Sequence, residues 1–427
     1  MKRKKKSLDI INLTLLLTTV LFVLLIVFMM LGQKDDEIAK ETATESLTIL
    51  PQEKTVVETF MHSVGEMRAV WIATVGNINF PTEPGLSADE LKAQIDDILL
   101  FCTDNSLNTV FFQVRPSSDS VYNSSIFPTS AYLCENQGDD LSGGFDPYLY
   151  LIRSAHARGI AVFAWINPLR VTTSEDFAKG DLSNLAKTNP AYLHPEWCVE
   201  YVGNVYYNPG IPEVRELVAD SVAEIVSNYD TDGVVFDDYF YPYPKQDVVY
   251  NDKKEYQRYG YGSSLEDWRR QNVNDMIKLS YDTVKSINKD CYFGVSPFGI
   301  WQNNDGSNNG SDTAGLSSYD AIYCDALAWV KGGYVDFLSP QLYWNFDYDK
   351  APFATLCDWW DEQLKGSKTS LLISHGAYRV SEWKEDEILH QVEYARSKSN
   401  YMGSAFYGFA ALKINENNIA DRLSAIY

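Results

Sequence analysis

Histidine is scarce in this chain, at five in 427 residues. None stands in an HExxH or similar ligand spacing, so neither a metal nor any other cofactor is expected. The six cysteines (Cys102, Cys134, Cys198, Cys291, Cys324, Cys357) form no CxxC pair. That spacing lacks a metal-ligand pattern and leaves most of them as free buried thiols, with disulfides outside the cytoplasm as the alternative. Basic surface is missing too. The formal net charge is −22; residues 1–9 contribute +4, leaving −26 for the rest. An acidic body without a basic stripe repels phosphate backbones, so a nucleic-acid partner is not expected. No GxGxxG turn follows the first strand candidate, where GNINFPTEPG stands instead, and this argues against a doubly wound dinucleotide-binding sheet.

One long apolar run is present, and only at the N-terminus. Residues 10–31 carry no charge over 22 positions, from Ile10 to Leu31. About 20 apolar residues at 1.5 Å each span a bilayer core of ~30 Å, so this run reads as a transmembrane helix. It lacks a small-x-small cleavage site and a terminal cysteine for lipid attachment, which favours an uncleaved signal anchor. The KRKKK cluster in the basic tail 1–9 keeps that end cytoplasmic and places the body outside the cell membrane, as a single-pass protein. Residues 32–65, polar and rich in Thr and Glu, read as a linker.

From residue 66 to 427 short apolar runs alternate with longer amphipathic ones. The strand candidates are 68–75, 108–115, 160–167, 233–239, 292–298, 335–344, 371–378 and 403–410. Helical patterns cover 87–105, 146–159, 212–229, 264–287 and 385–399. Eight strand-helix repeats, apolar on both strand parities, predict an α/β protein of the (β/α)8 TIM-barrel class. Tyr, Phe and Trp make up 14% of residues, enough both to fill a barrel and to stack on sugar rings.

Active sites in such barrels lie at the C-terminal strand ends. Those positions hold Asn77, Asn79, Arg115, Asp119, Asn167, Arg170, Asp237, Asp238, Tyr239, Ser296, Trp301, Gln341, Tyr343, Trp344, Asp347, His375, Tyr378 and Tyr407. Amides, arginines, carboxylates and rings converging on one rim suit a neutral polyol ligand. Arg115, Asn167, Arg170, Tyr239, Tyr241, Ser296, Trp301, Gln341, Tyr343, Trp344, Asp347 and His375 are the candidate glycan-binding residues. The sharpest signal is DGVVFDDYFYP (232–242), where a strand ends in two carboxylates. Burying a carboxylate at a barrel mouth costs free energy unless it is paired or used. Adjacent strand residues face opposite ways, so Asp237 and Asp238 do not both aim into the lumen.

Several long motifs carry a resemblance: MRAVWIATV (67–75), NTVFFQVRPSSDSVY (108–122), FDPYLYLIRSAHARGIAVFAWINPLRV (145–171), YDTDGVVFDDYFYP (229–242), FGVSPFGIW (293–301) and VDFLSPQLYW (335–344). Through them the chain resembles the glycosyl-hydrolase-like TIM-barrel family, once a domain of unknown function, that includes the divisome-localised peptidoglycan glycosidase of enteric bacteria. The resemblance covers 66–427 and implies hydrolysis of glycosidic bonds, with peptidoglycan glycan strands or an exopolysaccharide as substrate. Several barrel glycosidase families place a catalytic Asp at the end of strand 4 in a DGxxxD-like arrangement, which falls on Asp237. Two carboxyl groups are the usual requirement, and Asp119, Asp238 and Asp347, in that order, are the candidate partners. Strand 5 ends in SPFGIW without the Glu of amylase-like enzymes. A non-catalytic glycan-binding protein on a degenerate barrel, or an envelope scaffold, remains the alternative.

Overall fold

The computed structural model describes residues 65–427; the tail 1–9, the run 10–31 and linker residues 32–64 lie outside the described residues. Among the described residues no helix is long and apolar enough to cross a membrane.

Eight parallel strands close on themselves. They are β1 (Met67–Ile72), β2 (Thr109–Arg115), β3 (Ala161–Ile166), β4 (Gly233–Phe236) and β5 (Tyr292–Val295), then β6, which runs in two pieces (Phe337–Leu338 and Gln341–Leu342). β7 (Ser370–Gly376) and β8 (Tyr401–Tyr407) complete the ring, and Met67 pairing with Gly403 joins β8 to β1. β6 breaks at Ser339-Pro340 because proline has no N–H to give the ladder. Ser339 N and Gln341 N still donate to Val295 O (2.8 Å) and Pro297 O (3.0 Å), so the strand holds its place beside β5.

Amphipathic helices wrap the ring: α1 (Ala88–Asp104), α2 (Pro147–His156), α3 (Pro212–Asn228), α4 (Leu265–Ile287), α5 (Ala326–Gly332), α6 (Phe353–Leu364), α7 (Glu387–Arg396) and α8 (Ile419–Ile426). Their starts are set by local chemistry. Ser87 and Glu90 form a reciprocal capping box on α1, Asp146 caps α2, Ser264 caps α4, and Pro212 occupies the first turn of α3. The (β/α)8 barrel expected from the eight repeats is therefore present. Helices α5, α6 and α8 lie outside the five helical patterns located in the sequence, and a three-stranded antiparallel sheet (Arg170–Thr172, Cys198–Tyr201, Asn204–Tyr207) inserted between β3 and α3 was not expected. All six cysteines are free thiols.

The lumen is packed, not hollow. Met67, Ala69, Trp71, Phe111, Phe163, Trp165, Val235, Phe337, Leu372 and Ala405 fill it as a cluster separate from the helix-facing core. Its rings meet edge to face, Trp71 on Phe111 at 4.6 Å and on Trp165 at 5.1 Å, as aromatic quadrupoles prefer. Two glycines make room for these rings. A Cβ on Gly233 would lie 2.3 Å from the Phe163 ring, and one on Gly294 2.2 Å from Phe337. Gly233→Ala is therefore expected to overpack the lumen and to lose ~1–3 kcal/mol of stability. A melting temperature equal to wild type by calorimetry would show that Phe163 yields freely.

Candidate active site

Asp237 and Asp238 follow β4, and the packed lumen below them sets which way each points. Val235 faces inward, so Asp237, two residues on, faces the lumen mouth. There it is nearly sealed, at 4% exposure. Its Oδ2 accepts from Trp165 Nε1 (3.0 Å) and from Asn167 Nδ2 (3.1 Å), both on the same face of β3 and the residues after it. Asn167 is held in that orientation because its Oδ1 accepts from Arg170 N at 2.9 Å. The Arg170 guanidinium donates to Pro116 O (3.1 Å) and covers the Tyr239 ring at 4.8 Å. Asp238 turns the other way, accepting from Tyr243 OH on one oxygen and from Gln341 Nε2 (2.9 Å) on the other. The same Gln341 amide donates to Ser296 O at 3.1 Å, tying β5 and β6 to the pair.

Burial dominates the electrostatics. It raises the Asp237 carboxyl from an ordinary 3.8 to about 7, with the Arg170 charge opposing and the Asp238 charge adding. Asp238 is raised too, chiefly by burial, against the pull of its Tyr243 and Gln341 donors. A carboxyl that keeps its proton near neutral pH is suited to general-acid work. Replacing Trp165 by Phe removes a donor to the carboxylate form, so the alkaline limb of the rate profile is expected to move up by roughly one pH unit. A limb that stays in place in a kcat/KM profile would separate Trp165 from Asp237.

The structure gathers Asp237, Asp238, Asn167, Arg170, Tyr239, Ser296 and Gln341 at this mouth. Tyr343 closes one side, stacked on Tyr407 at 5.8 Å. Other candidate positions lie elsewhere. Arg115 faces away from the lumen, donating to Ser221 Oγ of α3 (2.7 Å) and covering Phe127 at 4.0 Å. A bulge is the reason: Gln113 pairs with Trp165 but Arg115 pairs with Ile166, so Val114 is an extra residue that reverses the parity. His375 also points outward, between Gln391 Oε1 and Ser404 Oγ (3.0 Å each), because Ser374 takes the lumen side and bonds Trp71 and Ser339. Asp347 lies at the surface, with 66% of its side chain exposed, paired to Lys384. Tyr241 is buried against Tyr250 and Tyr323, behind the mouth. Trp301 stacks on Trp359 at 5.8 Å, and Trp344 meets Phe298 edge-on at 5.6 Å.

Asp119 is fully buried beneath the loop after β2, 3.4 Å from Gln137 Nε2, and burial raises it to about 6. Its neighbours are Gln137, Ser130, Asp176 and Arg115 rather than Asp237. Two contributors escaped the sequence reading. Trp165 sits inside a strand run that reads as core, yet lies two residues before Asn167 and so shares its lumen face. Tyr243 is one of several tyrosines in YFYPYP, and nothing in that string singles it out.

A closed parallel barrel whose mouth holds a neutral-range carboxyl beside a second carboxylate, amides and tyrosine rings is the arrangement of a glycoside hydrolase. Residues 66–390 match the family described as glycosyl hydrolase-like 10, and the chain belongs to that family. It is 36% identical to glycosyl hydrolase YngK of Bacillus subtilis, covering 84% of this chain and 71% of that one. It is 35% identical to glycosyl hydrolase DigH of Escherichia coli K12, with 80% of each chain covered. The solved glycoside hydrolase domain of PgaB (BpsB) from Bordetella bronchiseptica shares the fold, with a TM-score of 0.52 at 13% identity over 84% of this chain and 98% of that one. The protein is accordingly a glycosidase acting on a glycan.

Proposed function

We propose that the protein is a membrane-anchored glycosidase facing outward from the cell, that it cleaves a bacterial envelope glycan (peptidoglycan strands or an exopolysaccharide), and that Asp237 is its general acid. One observation carries the role of Asp237: a lumen-facing carboxyl, sealed from water, that keeps its proton to about 7 while Trp165 and Asn167 stand ready to stabilise the carboxylate once the proton has left. The envelope location is supported by the basic tail and the 22-residue apolar run before the barrel. The open rim of tyrosines and amides suits a chain of neutral hydroxylated sugars better than a charged small molecule.

The test uses the full chain in detergent with stem-peptide-free peptidoglycan and, separately, a purified exopolysaccharide. Mass analysis is expected to show oligosaccharides one water heavier than the chain segments they come from. Failure to release anything from either polymer overturns the envelope reading.

A further inference from the structure

Hydrolysis by two protein carboxyl groups needs one on each side of the scissile bond, the second as nucleophile or as base for water. Here both candidates share one wall. Asp237 leans toward β3 through Trp165 and Asn167, and Asp238 toward β5 and β6 through Gln341. The facing wall is built from the ends of β7, β8 and β1, which read Gly376-Ala377-Tyr378, Tyr407-Gly408-Phe409 and Ala73-Thr74-Val75, without an acidic residue. Tyr343, Tyr378 and Tyr407 occupy it, their rings 5.8–5.9 Å apart. Burial raises all three hydroxyls above the ordinary tyrosine range, so a phenolate nucleophile is disfavoured. Asp119 is enclosed by its own loop, and Asp347 is paired at the surface. The wall opposite the acid therefore offers a stacking face and no attacking group.

We propose that the attacking group comes from the substrate: the site acts on 2-acetamido-2-deoxyhexosides, with the sugar's own acetamido oxygen as nucleophile, Asp237 as acid and Asp238 as the acceptor that holds the acetamido N–H. This rests on the glycosidase reading of Asp237 and names the sugar class that it requires. In the first half-reaction the acetamido oxygen bonds to the anomeric carbon while the glycosidic C–O bond breaks. The bonding pair leaves with the departing oxygen, which takes the Asp237 proton. The oxazolinium ring so formed carries its positive charge next to Asp238, whose oxygens are fixed by Tyr243 and Gln341. In the second half-reaction water adds to the anomeric carbon from the vacated side and gives its proton to Asp237, and the ring reopens to the acetamide. One water is consumed, one bond is cleaved, and two displacements retain the configuration. Substrate-assisted retention of this kind is a known exception to the two-carboxylate rule.

The experiment compares stem-peptide-free peptidoglycan strands with the same strands after chemical N-deacetylation, and titrates the full chain with N-acetylglucosamine thiazoline, a stable mimic of the ring intermediate. Deacetylated strands are expected to be cut at least ~100-fold more slowly, since an intramolecular nucleophile is lost. Retention by proton NMR is expected, together with thiazoline binding by calorimetry that Asp238→Asn abolishes. Equal cleavage of both strands, inversion, or a glycosyl-aspartate ester trapped with a 2-fluoro sugar overturns the inference and leaves the glycosidase reading intact. The role of Asp237 fails separately, if Asp237→Asn turns over at the wild-type rate. Should neither strand be cleaved, thiazoline decides: heat with wild type and none with Asp238→Asn supports the inference, and no heat with wild type overturns it.

Discussion

Asp237→Asn is expected to lower kcat on the glycan substrate by ~10²–10⁴-fold, the usual contribution of a positioned general acid. Asn fills the same space and still meets Asn167, but it has no proton to give. Glycan binding, read by calorimetry, is expected to survive, because the tyrosine rim and Arg170 are untouched. The same variant is expected to be more stable than wild type at pH 8. Folded Asp237 holds its proton up to about 7, whereas the unfolded chain releases it near 3.8. Between those values the folded state binds more protons, so wild-type stability falls as pH rises through that window. Removing the titrating group removes that decline, worth at most a few kcal/mol at ~1.4 kcal/mol per unit. In wild type kcat/KM is expected to fall as pH rises through about 7. A variant with full activity, or one less stable than wild type at pH 8, counts against a protonated Asp237.

The largest expected stability change lies behind the mouth. Arg269 of α4 grips Asp252 with two hydrogen bonds (Nε at 2.7 Å, Nη2 at 2.6 Å), and the two side chains are only 7% and 1% exposed. Its remaining donors reach Tyr323 OH (2.7 Å) and Tyr250 O (3.2 Å), and the guanidinium lies within 5.5 Å of the Tyr241 and Tyr323 ring centres. This clamp ties the segment after β4, which carries Tyr243, to the body of the barrel. Asp252→Ala strands a guanidinium in a site closed to water and is expected to cost ~3–5 kcal/mol in urea unfolding. Replacing both partners with apolar residues is expected to cost less than the single change. Because Tyr243 then loses its footing against Asp238, the single variant is also expected to turn over more slowly at temperatures where it remains folded. A midpoint within 1 kcal/mol of wild type would mean the pair is dispensable.

The eight strands were legible because each falls in a short run of apolar, β-branched or aromatic residues that alternates with longer amphipathic stretches. Ser87, Asp146 and Ser264 mark helix starts by the same capping chemistry that the structure shows. Facing direction was less legible. Arg115 reads as a mouth residue by strict alternation from Phe111, and one inserted residue, Val114, turns it outward. His375 has a polar side chain at a strand end, yet its bonding needs are met by Gln391 and Ser404, which sequence separation hides. Helix α5, at seven residues, is too short to show a period, and the small sheet before α3 depends in part on pairing between residues 33 and 36 positions apart. The carboxylate pair was visible as DD. Its division of contacts between Trp165 and Tyr243 was not, because those partners come from a neighbouring strand and a following loop.

The bulge in β2 also sets the ionic character of the cleft. By sending Arg115 to the helix side, it leaves Arg170 as the guanidinium that faces the two carboxyl groups. While Asp237 keeps its proton, the mouth carries one negative charge fewer than it does above about pH 7. Once pH passes about 7 the mouth gains that negative charge, which repels acidic polymers over roughly a Debye length, ~8 Å in physiological salt. Added salt then relieves more repulsion at high pH than at low pH. A single extra residue in one strand thus makes the ionic-strength dependence of glycan capture itself a function of pH.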